Sequence, residues 1–326
     1  MKTLFMAVAL TTSAQAMAEI PELDLNIDTI TVSGISSGGY MAGQFHIAHS
    51  DWVSGIGVIA GGPYYCARNS IMTALGQCVN KQDKPINLAD IETTVKEWEK
   101  QNLINPLSDV TGDKVWILHG TEDKKVLAAV TDKLVEQYRA WAGADNVRYI
   151  SDKPFAHHFP TENAGTTCDV SETPFIASCG YDAASEMMQH IAATPTQKVT
   201  SRGQLYSLDQ QQLGGEDASG LADSAYLYAP APCLQGASCQ VHVSFHGCNQ
   251  NIEAVGNDYA RLTGLNEWAD AHNTVVLYPQ TKKSTLMPLN PQACWDWWGY
   301  TDENYANKNG KQIKAVASMV RNLAGE

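Results

Sequence analysis

The chain has 326 residues, of which 44% are hydrophobic, and its 35 acidic against 22 basic side chains give a formal net charge of −13. That charge excludes a nucleic-acid-binding protein, because phosphate contacts need a face rich in Lys and Arg. The hydrophobic content excludes intrinsic disorder, and the length is enough for one large domain or two ordinary ones.

Residues 1–18 have the composition of a secretory signal peptide. Lys2 is followed by an apolar run over residues 4–10 and by two overlapping Ala-x-Ala sites within residues 14–18. The run is far shorter than the roughly 20 residues of a membrane-spanning helix. We therefore expect residues 1–18 to be removed and residues 19–326 to be secreted, to the cell exterior or a periplasm, without a membrane span.

Export changes the meaning of the eight cysteines. In an oxidising compartment an even number of cysteines favours disulfides, and the chain has neither a Cys-x-x-Cys pair nor the Cys/His spacing of a zinc site. We therefore expect disulfides and no metal. Many pairings are formally possible, and our hypothesis is the one that joins neighbours along the chain: Cys66–Cys78, Cys168–Cys179, Cys233–Cys239 and Cys248–Cys294.

The first half of the chain alternates strands with helices. In chain order, the apolar patterns predict a strand at 30–33 that turns sharply into a helix from 36 to 46, a strand at 55–60, a helix at 88–101, a strand at 114–118, a helix at 127–142 and a strand at 147–150. The rest of 67–113 has the character of loops. This alternation is typical of an α/β fold, in which helices cover both faces of a mostly parallel sheet.

The second half continues the pattern after a segment at 168–193 that ends in a helix. Four further strands are predicted at 203–207, 224–228, 239–245 and 274–278, with a helix near 252–272 and a final helix at about 305–323. No internal repeat or low-complexity linker interrupts the pattern. We therefore expect a single catalytic domain over residues 19–326.

The segment Gly34-Ile35-Ser36-Ser37-Gly38 fits the Gly-x-Ser-x-Gly nucleophile elbow, and it lies between a predicted strand and a predicted helix. The glycines permit a tight turn and a close approach of helix and strand, while Ser36 projects its hydroxyl at the carboxyl edge of the sheet. Centring the motif on Ser37 instead would place Ile35 where the first glycine belongs. A Gly/Ser turn without chemistry is the alternative interpretation.

A serine nucleophile needs a histidine base and a carboxylate that orients the base. In α/β hydrolases both follow the serine, each in a loop after a strand. Asp123 follows the third predicted strand and His157 follows the fourth, which is this order. Glu122 competes for the acid and His158 for the base, and spacing alone does not separate them. Asp113 precedes its strand and would lie at the wrong edge of the sheet.

The oxyanion hole needs two N–H donors, one from Ser37 after the nucleophile and one from a His-Gly loop that usually precedes the serine in the chain. Too few mature residues precede Ser36 to hold such a loop. The pattern occurs late instead, as His246-Gly247-Cys248 after a predicted strand. We therefore interpret the chain as a circularly permuted α/β hydrolase, with the nucleophile elbow near its N-terminus and the oxyanion loop near its C-terminus.

Together these motifs resemble the single-domain, circularly permuted extracellular poly(3-hydroxybutyrate) (PHB) depolymerases. The likeness spans most of the mature chain and rests on residues 34–40, 119–123, 157–161, 246–248 and 290–298. In that family the histidine stands two residues before an aromatic-Pro pair, which selects His157 over His158.

The resemblance also implies further residue roles. The backbone N–H groups of Ser37 and Cys248 would form the oxyanion hole, and a disulfide would join Cys248 to Cys294. Substrate contact is expected from tryptophans of the late aromatic run, and the candidates are Trp295, Trp297 and Trp298. For each ring the alternative is packing in the core.

The function implied is hydrolysis of PHB or its oligomers through a Ser36, His157 and Asp123 triad and an acyl-enzyme, by a monomer without a cofactor. An apolar aromatic wall suits an uncharged polyester. No separate polymer-binding domain is expected, so adsorption would fall to the catalytic domain's own surface. A feruloyl or acetyl-xylan esterase is the alternative enzyme, and a catalytically silent binding protein is the alternative of another class.

Overall fold

The computed structural model describes residues 21–195 and 199–326, so the predicted signal peptide lies outside the described residues. The strands are β1 (Leu25–Ile35), β2 (Val53–Ile59), β3 (Lys114–Leu118), β4 (Val147–Ile150), β5 (Phe159–Thr161), β6 (Thr166–Thr167), β7 (Ile176–Ser178), β8 (Gln204–Asp209), β9 (Ser224–Ala229), β10 (Cys239–Phe245) and β11 (Thr274–Tyr278). The helices are α1 (Ser37–Ala48), α2 (Ile71–Gln77), α3 (Leu88–Lys100), α4 (Ala128–Trp141), α5 (Ala183–Ile191), α6 (Gln210–Gly214), α7 (Ala231–Leu234), α8 (Ile252–Val255), α9 (Asp258–Leu262), α10 (Leu265–His272) and α11 (Lys311–Leu323).

Eight of the strands form one sheet in the order β4-β3-β2-β1-β10-β11-β9-β8. From β4 to β11 every neighbouring pair is parallel, while β9 runs antiparallel to both β11 and β8. The predicted α/β fold with a mostly parallel sheet is confirmed. A small second sheet of β5, β7 and β6, which the sequence patterns did not predict, follows β4 in the chain.

Alternate side chains of the central strands enter two cores on opposite faces of the sheet. In β2, Val58 belongs to one core and Ile59 to the other, and in β3, Val115 and Trp116 divide in the same way. Helices α1, α4 and α11 contribute to the first core, and α5 and α10 contribute to the second. Both faces of these strands are buried, which is why their sequences are continuous apolar runs rather than alternating patterns.

Three helical predictions were wrong in part. The single helix expected near 252–272 is broken into α8, α9 and α10, because Gly256 and Gly264 adopt positive φ angles of 60° and 84° that end a helix. The final helix begins at Lys311 rather than near 305, since turns occupy the residues before it. Helix α2 lies in a region predicted as loops, and it is capped by the Ser70 side chain, which accepts from the Thr73 N–H at 3.2 Å.

The parallel pairing of β1 with β10 decides where a site forms. The register aligns Gly34 with Phe245, so the turn at Ser36 and the loop at His246 leave the sheet side by side. The loops after β3 and β4 leave from the same carboxyl edge, because both strands are parallel to β1. In open α/β sheets, ligands bind at this edge.

The structure contains four disulfides, and they join neighbours along the chain as hypothesised: Cys66–Cys78, Cys168–Cys179, Cys233–Cys239 and Cys248–Cys294. Such bonds are typical of oxidising compartments. Across residues 21–195 and 199–326, no helix combines the length and the apolar character needed to cross a membrane.

Candidate active site

Ser36 lies in a strained turn between β1 and α1. Its φ of 55° and ψ of −121° place a residue with a side chain in a region that favours glycine. The turn is also tight: a Cβ on Gly34 would lie 2.1 Å from the Gly38 carbonyl oxygen, and a Cβ on Gly38 would lie 2.1 Å from the Phe245 carbonyl oxygen. Only glycine fits at either motif position, so the sequence pattern has a direct steric cause.

Asp123 and His157 form a hydrogen-bonded pair beside this turn. The Nδ1 atom of His157 lies 2.7 Å from Oδ2 of Asp123, while the other carboxylate oxygen accepts from the N–H groups of Lys125 and Val126 at 2.8 and 3.0 Å. Burial raises the pKa of the Asp123 carboxyl, but these hydrogen bonds outweigh burial and hold the pKa below its ordinary value. An ionised Asp123 fixes the proton on Nδ1, which leaves Nε2 as the basic nitrogen.

The competing candidates occupy other environments. The Nε2 atom of His158 donates to the Cys168 carbonyl at 2.8 Å, and burial lowers the pKa of this imidazole. Glu122 is exposed to solvent. Asp113 pairs with His46 at 2.9 Å at the amino edge of β3, away from the elbow. The structure therefore brings Asp123 and His157 together with Ser36 and leaves the alternatives apart.

One cluster has the composition of a metal site but not its chemistry. Ligand atoms of His158, Cys168 and Cys179 lie within 4.8 Å of one another. The two sulfurs are bonded to each other. Because the thiolate is the metal ligand, a disulfide offers none.

Among the described residues, the backbone N–H groups of Ser37 and Cys248 have no acceptor, and both residues line a cavity together with Ser36. Ser37 is the first residue of α1, where helix geometry leaves N–H groups unpaired. Next to Cys248 in the chain, the Asn249 N–H donates to the Gln292 carbonyl at 2.7 Å. These two unpaired N–H groups are the pair that the resemblance implies for an oxyanion hole.

Gln250, which the sequence did not single out, holds the loop that carries Cys248. Its Oε1 atom accepts from the Gly247 N–H at 2.7 Å, and its Nε2 atom donates to the carbonyls of Pro174 and Phe175 at 2.9 and 3.0 Å. The side chain is buried, so water does not compete for these bonds. Gln250 therefore ties the oxyanion loop to a segment that also lines the site.

His246 supports the same loop as a neutral side chain. Its Nδ1 atom donates to the Gly247 carbonyl at 2.7 Å, and Nε2 accepts from the Thr281 N–H at 3.2 Å. Burial lowers the pKa of the imidazole to about 4. Both ring nitrogens are thus occupied in shaping the loop.

The Cys248–Cys294 disulfide ties the oxyanion loop to the aromatic run 295–298 and brings the two Cα atoms within 4.2 Å. Trp297 stacks on Tyr40 with ring centroids 4.8 Å apart, and Trp297 and Trp298 both line the cavity above Ser36. Two of the three candidate rings therefore line this cavity.

Trp295 is different, and the expectation that it contacts substrate is corrected. Its ring is fully buried and packs edge-on against Phe245 at 5.1 Å and tilted against His246 at 5.6 Å. It does not line the cavity. Because it fills space under the oxyanion loop, its contribution is to packing.

Asp296, between the tryptophans, organises the turn that follows them. Its carboxylate accepts from the N–H groups of Gly299, Tyr300 and Thr301 at 2.7, 2.9 and 2.8 Å, and from the Thr301 hydroxyl at 2.6 Å. The side chain is buried, and burial raises its pKa against the lowering effect of these hydrogen bonds. A carboxylate with this many donors fixes the backbone that presents Trp298.

Ser36, His157 and Cys248 lie at the base of a cavity of about 840 Å³. Most of its walls are apolar or aromatic side chains, which include Ile71, Leu75, Val79, Phe175, Leu289 and Trp297. Lys125 is the one Lys or Arg among the described residues that line it, and none of those residues is Asp or Glu. The cavity therefore suits an uncharged chain rather than a polyanion.

The mouth of the cavity is surrounded by exposed apolar side chains. Ile71 on α2 and Met287 and Leu289 on the loop before the aromatic run line the cavity and are 44%, 89% and 54% exposed. Their chain neighbours Met72 and Leu286 do not line it and are 78% and 79% exposed. Contiguous apolar exposure of this kind marks an interaction surface. The apolar run 286–289 is visible in the sequence. Helix α2 was not predicted, so its exposed apolar side chains were not expected.

No family model matches the chain. It is 37% identical over 314 residues to the poly(3-hydroxybutyrate) depolymerase of Delftia acidovorans, which covers 94% of this chain and 62% of that relative. It is 33% identical over 329 residues to the polyhydroxybutyrate depolymerase of Talaromyces funiculosus, which covers 97% of this chain and 95% of that relative. The chain thus spans less than two thirds of the first relative and nearly all of the second.

Two solved structures are similar over the same extent. A PHB depolymerase from Penicillium funiculosum matches with a TM-score of 0.87 at 32% identity, covering 94% of this chain and 98% of the other. A PHB depolymerase with a serine-to-alanine substitution, complexed with an R3HB trimer, matches with a TM-score of 0.87 at 31% identity and the same coverage.

Proposed function

The chain belongs to the family of poly(3-hydroxybutyrate) depolymerases, and on that basis we propose that it hydrolyses the ester bonds of this polyester or of its oligomers. The observation that carries the proposal is the grouping of Ser36, the Asp123-paired His157 and two unpaired N–H groups at the base of an apolar cavity. A polyester offers no charge for ionic recognition, and an apolar cavity binds it by excluding water.

The proposed chemistry proceeds through an acyl-enzyme. The Nε2 atom of His157 takes the hydroxyl proton of Ser36, whose oxygen attacks the ester carbonyl. The resulting oxyanion accepts from the N–H groups of Ser37 and Cys248. When the carbonyl re-forms, the ester C–O bond breaks and the imidazolium gives its proton to the departing alkoxide. Water, deprotonated by His157, then attacks the acyl carbonyl. The bond between the acyl carbon and the Ser36 oxygen breaks, the imidazolium returns its proton to that oxygen, and the acid is released.

The electrostatics of the site support these reaction steps. Asp123 is held ionised by its hydrogen bonds, so it stabilises the imidazolium that forms when His157 takes the proton. The N–H groups of Ser37 and Cys248 are unpaired before reaction, so they need no reorganisation to stabilise the oxyanion. One such donor is worth about 2.7–4 kcal/mol of transition-state stabilisation.

The proposal includes a rearranged chain order, a single domain and export. In the sheet, the strand that leads to the nucleophile is β1, while the oxyanion loop follows its neighbour β10, so circular permutation of an α/β hydrolase accounts for the order of the motifs. The continuous sheet supports one catalytic domain over residues 19–326. The four disulfides support secretion through an oxidising compartment.

Turnover of amorphous PHB film and of methyl ferulate by the purified protein tests this function against the feruloyl or acetyl-xylan esterase alternative. We expect rapid hydrolysis of the film and little of methyl ferulate, and the family comparisons favour this outcome. A fluorophosphonate should label wild-type protein but not the Ser36→Ala variant. The reverse substrate preference would reject the depolymerase assignment, and a wild-type protein that resists labelling would indicate a silent binding protein.

A further inference from the structure

Among the described residues that line the mostly apolar cavity, Lys125 is the one Lys or Arg, and none is Asp or Glu. Its side chain is exposed, and it lines the cavity with Val126 and His157. Within residues 21–195 and 199–326, no carboxylate is recorded within 4 Å of its ammonium group. In the part of the chain that the structure describes, no carboxylate forms an ion pair with this ammonium group, so its charge is available to a ligand.

The loop that carries Lys125 also positions His157, the proposed general base. The Lys125 N–H donates to Asp123 at 2.8 Å, and the same carboxylate holds His157 at 2.7 Å. This arrangement fixes the backbone of Lys125 relative to the imidazole. Lys124, one residue earlier, is also exposed but does not line the cavity.

The chemistry of the ester places a carboxylate on the same side as His157. In a chain of 3-hydroxyacids, the acyl part keeps the free hydroxyl end, whereas the leaving alcohol keeps the free carboxyl end. The leaving oxygen must lie against His157, because that imidazole returns the proton to it. The terminal carboxylate of a short oligomer therefore extends along the wall that the His157 loop contributes.

We propose that Lys125 binds the terminal carboxylate of short hydroxyacid oligomers and thereby favours cleavage near their carboxyl end. This inference rests on the proposed esterase function and names the substrate form that the site would select. An exposed ion pair is weak in water, but apolar walls reduce the screening around this one. Polymer film, whose chain ends are few, would not use Lys125.

The test compares an (R)-3-hydroxybutyrate trimer as the free acid with its methyl ester, which is uncharged. For wild-type protein we expect kcat/KM to be about 3- to 10-fold higher for the free acid at low salt. The Lys125→Met variant should bring this ratio to about one through a higher KM for the acid, and Lys125→Glu should invert it. Lys124→Met is the matched control and should keep the wild-type ratio.

The outcomes separate this inference from the function it rests on. If the preference for the free acid over the methyl ester survives in Lys125→Met, or falls equally in Lys124→Met, the role of Lys125 is overturned. The esterase function would still stand in that case, because the methyl ester is hydrolysed. Loss of the ratio at high salt in the wild type would support an ionic contact. A wild-type protein that hydrolyses neither form would instead overturn the esterase function.

Discussion

The base and the mouth of the cavity are built in opposite ways. At the base, each supporting side chain has defined partners: Asp123 holds His157, and Gln250 and His246 hold the oxyanion loop. At the mouth, Met72 and Met287 are apolar and exposed. Buried polar groups must be paired to be tolerated, whereas exposed apolar groups stay free to adapt to a surface. The difference separates the chemistry of the site from its attachment to a substrate.

The largest effect is expected at the base, from Asp123→Asn. An amide in place of the carboxylate would donate rather than accept, which favours the wrong tautomer of His157. We expect kcat to fall by about 10⁴-fold, with KM nearly unchanged. Hydrolysis of a soluble 3-hydroxybutyrate oligomer measures this, with Glu122→Gln as the neighbouring control. Equal losses in the two variants would contradict the assignment of the acid.

Gln250→Leu should give the next largest effect, because it removes the hydrogen bonds that hold the oxyanion loop. We expect kcat to fall by about 10- to 100-fold, less than the loss of an oxyanion donor itself. Gln211→Leu is the control. The Gln211 side chain also donates to a backbone carbonyl, that of Ala218 at 3.0 Å, but it does not line the cavity. A change confined to KM would show that Gln250 positions substrate rather than the loop.

The pH dependence of the protein's stability reports on two buried imidazoles, that of His242 on β10 and that of His246 on the loop after β10. Burial lowers the pKa of His242 to about 3 and that of His246 to about 4. Below the ordinary histidine pKa of about 6.5, the unfolded chain binds protons that the folded chain does not, so stability falls as pH decreases toward 4. Each histidine contributes a slope of up to about 1.4 kcal/mol per pH unit.

Urea unfolding at pH 7 and pH 5 measures this slope. In the His242→Gln variant, the free energy of unfolding should change less with pH, by up to about 1.4 kcal/mol per pH unit. This difference in slope is expected whatever the stability of the variant at pH 7. A variant with the slope of the wild-type protein would show that His242 is not the neutral buried group described above.

The smallest effect is expected at the mouth. Replacing Met72 and Leu286 together with Ser removes apolar surface beside the cavity that would contact a solid polyester, and partial burial of such side chains is worth about 1 kcal/mol each. We expect adsorption to PHB film to weaken by about 5- to 30-fold, with turnover of a soluble oligomer unchanged. Val199→Ser is the control, because Val199 is exposed and apolar but, unlike Met72 and Leu286, has no described chain neighbour that lines the cavity. Unchanged adsorption would remove the distinction between base and mouth.

Local patterns in the sequence were sufficient to single out side chains that the structure brings together, where those patterns depend on neighbours in the chain. The elbow at Ser36 follows from glycines two residues to either side, and Asp123 and His157 each lie in the loop that follows a predicted strand. The disulfides also join residues close in sequence, apart from Cys248–Cys294. Contacts such as those of Gln250 with Pro174 were not predictable, because they join distant segments without any repeating pattern.

The sequence by itself determined the α/β fold, the order of the site residues and the apolar character of the aromatic run, because strand and helix periodicity and the steric demands of glycine act over a few residues. Only the tertiary structure decided that Trp295 packs in the core while Trp297 faces the cavity, and that Lys125 points where Lys124 does not. Adjacent side chains of like chemistry differ only in direction, and the packing of the whole chain sets that direction.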